Sequence, residues 1–111
     1  MSKIFSHAEY QDVVAETVAE IEKLGKLKGG EYAGDIDRLA NFRRNGQARR
    51  LPMEVIWSVY FAKHHDAIHQ WIDDIVDGKE RERLEPIEGR IDDMIVYLIL
   101  LKCMVRERAR E

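Results

Sequence analysis

Carboxylates and guanidinium groups gather in two stretches of this chain, and together they have the makings of a divalent-metal site facing a phosphorylated ligand. The first stretch is Gly29 to Phe42, GGEYAGDIDRLANF. It reads as a glycine-hinged loop in which Glu31, Asp35 and Asp37 are acceptors and Tyr32 and Asn41 are neutral polar groups, and Arg38, Arg43 and Arg44 follow closely as fixed cations. Loops of this kind carry chemistry more often than support. The second stretch, EPIEGRIDDMIVYL, opens the last helix with Glu85, Glu88, Asp92 and Asp93.

Glu88 and Asp92 stand four residues apart, which on a helix brings their Cβ atoms to about 5–6 Å on one face. Two hard oxygen donors at that spacing suit Mg²⁺, or Mn²⁺, directly or through water. First-turn carboxylates also complement the helix macrodipole with no ligand at all. Asp92 and Asp93 precede the most apolar turn of the chain, where an unpaired charge is costly. In the loop, Asp35 fits a helix cap and Asp37 a first-turn anion; in a functional reading they complete a metal shell or act as base. Tyr32 can stack on a nucleobase or fold over the edge of the core. Arginine's planar fork matches phosphate oxygens, so the run Arg38, Arg43, Arg44, Arg49 and Arg50 can grip a triphosphate or stay solvated. Nucleic acid is disfavoured as a partner, because the chain is acidic overall at net charge -3 and lacks zinc-finger and RNA-recognition signatures.

The third helix carries Lys63, His64, His65 and His69. His65 and His69 have the spacing of a two-histidine zinc face but lack the glutamate of the H-E-x-x-H pattern. His64 shares a stripe with Tyr60, Ile68 and Trp71, which turns its ring inward as a core histidine bonded to a carboxylate, or pairs it with Lys63 toward a ligand. No Ser-His-Asp context, phosphate-binding loop or dinucleotide fingerprint is present.

The elements that position these groups read as helices throughout. With 111 residues, 45% apolar and 35% charged, the chain has the size of one domain over residues 1–111 and the composition of long helices with solvated faces. Ser6 and Glu9 have capping-box spacing, flanked by Phe5 and Tyr10 as a staple. Tyr10, Val14, Val18, Ile21 and Leu24 then predict an amphipathic helix that stops near Lys28 at Gly29-Gly30. A short helix is expected from Ile36 to about Arg44, capped by Asp35, with Ile36, Leu39 and Phe42 inward and Asn45-Gly46 as its stop. Pro52 starts a longer helix that ends at Asp77-Gly78. Lys79 to Leu84 is a connector or helical extension, and Pro86 opens a last helix to about Arg108. From Ile91 to Val105 that helix is apolar nearly all round, which places it centrally and predicts a homo-oligomer built on it. The lone Cys103, in the same stretch, reads as a buried thiol. No run is long enough for a membrane span and no signal-peptide core is present, so a cytoplasmic, non-membrane protein is expected.

The segments EYAGDIDRLANF, WSVYFAKHHDAI and EPIEGRIDDMIVYLILL resemble the small phage and prophage proteins of the nucleotide-modification-associated class. Those proteins in turn look like distant relatives of the all-α nucleoside triphosphate pyrophosphohydrolases, the MazG and dimeric dUTPase group. The resemblance spans roughly residues 30–101. It implies an all-α dimer or tetramer, and a Mg²⁺ site of helix carboxylates that positions water on the α-phosphate of a nucleotide. In that frame Glu88 and Asp92 hold the metal and Asp35 or Asp37 completes the shell or serves as base. Arg38, Arg43 and Lys63 neutralise phosphate with His64 beside them, and Tyr32 and Asn41 contact base or sugar. The group pairs E-x-x-E with E-x-x-D. Here Glu88 and Asp92 are one residue wider, as are Glu16 and Glu20 on the first helix.

Overall fold

A computed structural model describes residues 4–32 and 36–111, without the side chains of residues 27–32. The protein is all-α: α1 (His7–Tyr32), α2 (Ala40–Arg49), α3 (Met53–Asp77) and α4 (Ile87–Arg108), three long helices and one short. Among the described residues no helix is long and apolar enough to cross a membrane.

Local chemistry accounts for most boundaries. The capping box forms as spaced: the Glu9 backbone N–H donates to Ser6 Oγ at 3.1 Å and the Ser6 N–H to Glu9 Oε1 at 3.2 Å. Pro52 and Pro86 occupy the N-cap positions of α3 and α4 with extended backbone, and Gly78 closes α3 in the left-handed conformation at φ 66°.

Three boundaries differ from expectation. α1 does not stop at Gly29-Gly30 but continues to Tyr32. Glycine costs a helix only about 1 kcal/mol per residue, which a long hydrogen-bonded helix absorbs. α2 begins at Ala40, because the Asp37 side chain takes the Leu39 N–H at 3.0 Å and its carbonyl takes that of Ala40 at 3.2 Å. Ile36 therefore precedes the helix and is fully exposed, while Leu39 and Phe42 are buried as expected. Asp35, the expected cap, lies outside the described residues. At its other end α2 runs past Asn45-Gly46 to Arg49. Gly46 is a contact point rather than a stop, for a Cβ there would lie 2.7 Å from the Leu51 carbonyl oxygen and 3.3 Å from Met53 Cα.

The helices assemble around α4, which packs against α3 on one side and α1 on another, while α2 lies on α3. α3 and α4 are antiparallel: Glu54 pairs with Arg108 at one end, Trp57 Nε1 donates to the Tyr97 carbonyl at 2.7 Å, and His64 meets Arg90 further along. The core gathers Leu39, Phe42, Ile56 and Trp57 around Met104, which is completely buried. Trp57 stacks on Phe61 at 4.7 Å between centroids, and the Phe42 ring meets Tyr97 edge-on at 6.2 Å. The last helix is not enclosed all round, however: Ile91, Leu98, Ile99 and Val105 are exposed, as is Cys103, contrary to the expectation of a buried thiol.

Gly46→Ala should lower the melting temperature by several degrees, since the backbone neighbours cannot yield and overpacking costs about 1–3 kcal/mol. The control is Gly89→Ala, whose Cβ would meet only Glu85 side-chain atoms at 3.7 and 3.8 Å and should leave stability unchanged or raised. Thermal denaturation of both variants checks the contrast.

Candidate functional site

Near the start of α4, ionisable groups from three helices act on one another, Glu20 of α1 on Asp92 and Lys63 of α3 together with Arg90 and Asp93 on His64. α4 contributes Glu88, Arg90, Asp92 and Asp93 within two turns, α3 contributes Lys63 and His64, and α1 contributes Glu20. Arg90 is the hinge of this cluster. Its Nη1 lies 3.2 Å from His64 Nδ1 and its Nε 3.4 Å from Glu85 Oε2. A guanidinium has no acceptor, so Nδ1 must accept, and the His64 ring is neutral with its proton on Nε2. His64 is buried, and the Tyr97 ring lies 5.3 Å away. Burial holds the imidazole pKa below its ordinary value; Asp93 pulls it back up, while Arg90 and Lys63 push the same way as burial. The expected carboxylate partner is thus replaced by an arginine, with Asp93 acting through its field.

Asp92 has the opposite problem. Partial burial raises its carboxyl pKa, and three like charges raise it further: Glu20 from across the α1–α4 seam, Glu88 one turn earlier and adjacent Asp93. The folded state thus disfavours the charged form of this group. The set consists of hard oxygen donors, the chemistry that suits Mg²⁺ or Mn²⁺. Among the described residues, no three or more His, Cys, Asp or Glu side chains are already drawn together closely enough to hold an ion.

The remaining expected site residues lie at the other end of the molecule. Asp37 is not directed at Glu88 and Asp92. It pairs with Arg43, which donates from Nε at 2.9 Å, and the same guanidinium grips Glu107 with two bonds of 2.8 Å. Arg43 holds both carboxyls below their usual range. Glu107 follows Asp92 by fifteen positions on one helix, about 22 Å along the axis, so Asp37 cannot complete a shell there. Arg43 is likewise occupied as a clamp between the start of α2 and the last turn of α4. The Arg38 guanidinium lies 3.7 Å from where a Cβ on Gly25 would stand, and Asn41 is engaged by Asn45, whose Nδ2 donates to its carbonyl at 2.8 Å. Asp35 and the side chain of Tyr32 lie outside the described residues.

A cleft of about 220 Å³ opens beside the Arg43 clamp, lined among others by Arg50, Glu54 and Arg108. Arg108 is already paired with Glu54. Asp74 is a further buried carboxylate, satisfied by Gln70 at 3.0 Å and by Arg81 and Arg83 at 2.9 Å each, which moors the 79–84 connector to α3. Among the described residues every buried side-chain nitrogen and oxygen has a partner.

Glu20, Arg90 and Asp93 are the members of the cluster that sequence reasoning did not assign to the site. Glu20 flanks the inward stripe of Thr17, Ile21 and Leu24, and only the position of α4 reveals that it confronts Asp92. Comparison with protein families, with curated proteins and with solved structures finds no match to this chain.

The neutral His64 ring makes stability depend on pH. Its folded pKa is below the ordinary value of 6.5, so the unfolded chain binds the proton more readily. The stability it contributes is complete above that value and is lost as pH falls from there through the depressed folded pKa. The denaturant midpoint should therefore drop between pH 7.5 and pH 5.5, and His64→Gln should flatten that drop; parallel slopes in both proteins would contradict the assignment.

Proposed function

We propose that the protein is a metal-dependent nucleotide pyrophosphohydrolase of the small phage type, cleaving a nucleoside or deoxynucleoside triphosphate to its monophosphate and pyrophosphate. The observation that carries this reading is the confrontation of Glu20 and Asp92 across the α1–α4 seam, with Glu88 beside them, a set of like charges on two helices that a divalent cation would relieve. Glu88 and Asp92, one turn apart on α4, are the residues that would hold the ion; Glu20 acts on Asp92 from α1, but among the described residues the three do not form a group that could hold a metal ion. Mg²⁺, when bound, would polarise a phosphoryl oxygen and lower the pKa of a coordinated water. Lys63, exposed one position before His64, supplies a mobile cation for the phosphates. Arg90 is engaged by His64 and Glu85. Asp37 and Arg43 are reassigned from catalysis and phosphate binding to the α2–α4 clamp.

A second reading, a non-catalytic helical accessory protein that binds a nucleotide or a host protein, draws on a specific observation. The acidic groups do not form a metal-binding set among the described residues, and Asp37 and Arg43 serve structural pairs instead.

Pyrophosphate release from the common ribo- and deoxyribonucleoside triphosphates, with and without Mg²⁺ or Mn²⁺, separates the two. The enzyme reading expects metal-dependent release that Asp92→Asn lowers at least about tenfold. The same substitution should raise the melting temperature by a few degrees, because it removes a charge that the folded state disfavours. No release from any triphosphate, together with no heat on titrating either metal, would leave the accessory reading in its place.

A further inference from the structure

The net charge of -3 is an average over regions of opposite sign. Residues 37–54 and 102–111 together hold nine of the 18 lysines and arginines but only four of the 21 carboxylates, so the rest of the chain sets nine cations against 17 carboxylates. The fold brings these two segments to one end of the bundle. Arg43 near the start of α2 grips Glu107, Arg108 pairs with Glu54 in the first turn of α3, and one cleft is lined by Arg43, Arg50, Glu54, Glu107 and Arg108 among others. The fields of two further arginines reach the same place, Arg44 acting on Asp37 and Arg110 on Glu107.

Three of the four carboxylates at this end are taken up in pairs. Arg43 holds Asp37 and Glu107, and Arg108 holds Glu54, which leaves Glu111. Outside those pairs Arg44, Arg49, Arg50, Arg106 and Arg110 are all exposed. The pairs fix the shape of the surface, and the remaining guanidiniums give it its sign.

Arg50 is held there against the preference of its own backbone. It closes α2 in the left-handed conformation at φ 56°, the conformation that glycine supplies at the end of α3, and among the described residues it is the one non-glycine residue with positive φ. Its N–H caps the Gln47 and Gly46 carbonyls, a bond that needs no side chain. What the arginine adds over glycine is a cation on the wall of the cleft.

The residue types select the partner. Eight of the nine cations are arginine, whose planar fork matches phosphate oxygens. They are not drawn into one pocket: in the cleft Arg43 and Arg108 are already engaged by carboxylates, and the others are distributed over α2 and the last turns of the chain, an arrangement that suits a repeating array of phosphates more than one small ligand. Phe42, the one aromatic residue of the two segments, is buried, so they offer no ring on which an unpaired base could stack. The acidic remainder of the molecule repels a polyanion and turns this end toward it.

We propose that this end of the bundle docks on the phosphate backbone of double-stranded nucleic acid, without reading its sequence. The docking needs neither the metal nor hydrolysis, so it stands or falls separately from the pyrophosphohydrolase reading.

Fluorescence anisotropy of labelled DNA and RNA duplexes, with no metal and no triphosphate present, tests it. The wild type should bind at least one duplex at 50 mM salt with Kd of tens of micromolar or tighter, and four or five phosphate contacts should weaken that binding by about two orders of magnitude at 200 mM. Arg50→Gly and Arg110→Gln should each weaken it several-fold and lower the salt slope by about one unit. Because glycine suits the left-handed position, Arg50→Gly should keep or raise the melting temperature, which separates lost binding from lost folding. Lys79→Gln, the same change of charge beyond the far end of α3, should leave affinity within about twofold or raise the salt slope not at all. No binding of either duplex by the wild type at 50 mM salt, tighter binding of the separated strands, or an equal loss in Lys79→Gln and Arg50→Gly would overturn the proposal. So would binding to vesicles of phosphatidylserine and phosphatidylcholine with none to a duplex.

Discussion

The architecture turns on a mismatch of lengths: α4 is the shared partner of two helices longer than itself. It has 22 residues, against 26 in α1 and 25 in α3. Two of its faces are committed, with Tyr97 and Met104 toward α3 and α2 and Asp92 toward α1, while Leu98, Ile99 and Val105 stay exposed. Beyond α4 the 79–84 connector covers α3 at Asp74, while Trp71, Ile72 and Ile75 on the neighbouring face stay exposed. The hydrophobic core is consequently concentrated at one end, around Met104, while the other end holds ionisable groups and uncovered apolar stripes. The polar cluster sits at the border of these two regimes, where burial is sufficient to shift His64 and Asp92 but solvent is still close.

Much of this was legible in the residues. Period-3.6 stripes, the Ser6–Glu9 box, the two prolines and Gly78 specify all four helices because each signal is local. What failed was also local in appearance but decided by distant atoms. Gly46 looks like a stop, and is instead the point where α2 approaches the α2–α3 turn. Gly29-Gly30 looks like a hinge and lies within α1. Cys103 sits in an apolar run, yet exposure depends on which helices arrive around α4, and none covers that position.

The site was legible in part. Glu88 and Asp92 were singled out from spacing alone, and Lys63 and His64 from their place on α3; all four lie at one level of the bundle. Asp37 and Arg43 were read as chemistry because an aspartate and an arginine near glycines resemble a ligand loop. Their true partner, Glu107, is 64 residues from Arg43, and no local pattern announces it. Glu20 enters the sequence reading only with Glu16, at a spacing one residue too wide, because a glutamate on the flank of an amphipathic helix is ordinary until another helix sets a carboxylate opposite.

The central position of α4 has a consequence for biosynthesis. It follows the other three helices in the chain, so α1 emerges with its apolar stripe complete and must wait for the partner that buries it. Fifty-four residues separate Tyr32 from Ile87. At ordinary elongation rates that is roughly 3–10 s of exposure for a nascent amphipathic helix. The Arg43 clamp closes later still, when Glu107 is made. Glu9, Glu16 and Glu22 on the outer face of α1 give the unfinished chain like charges that oppose its association with a second copy.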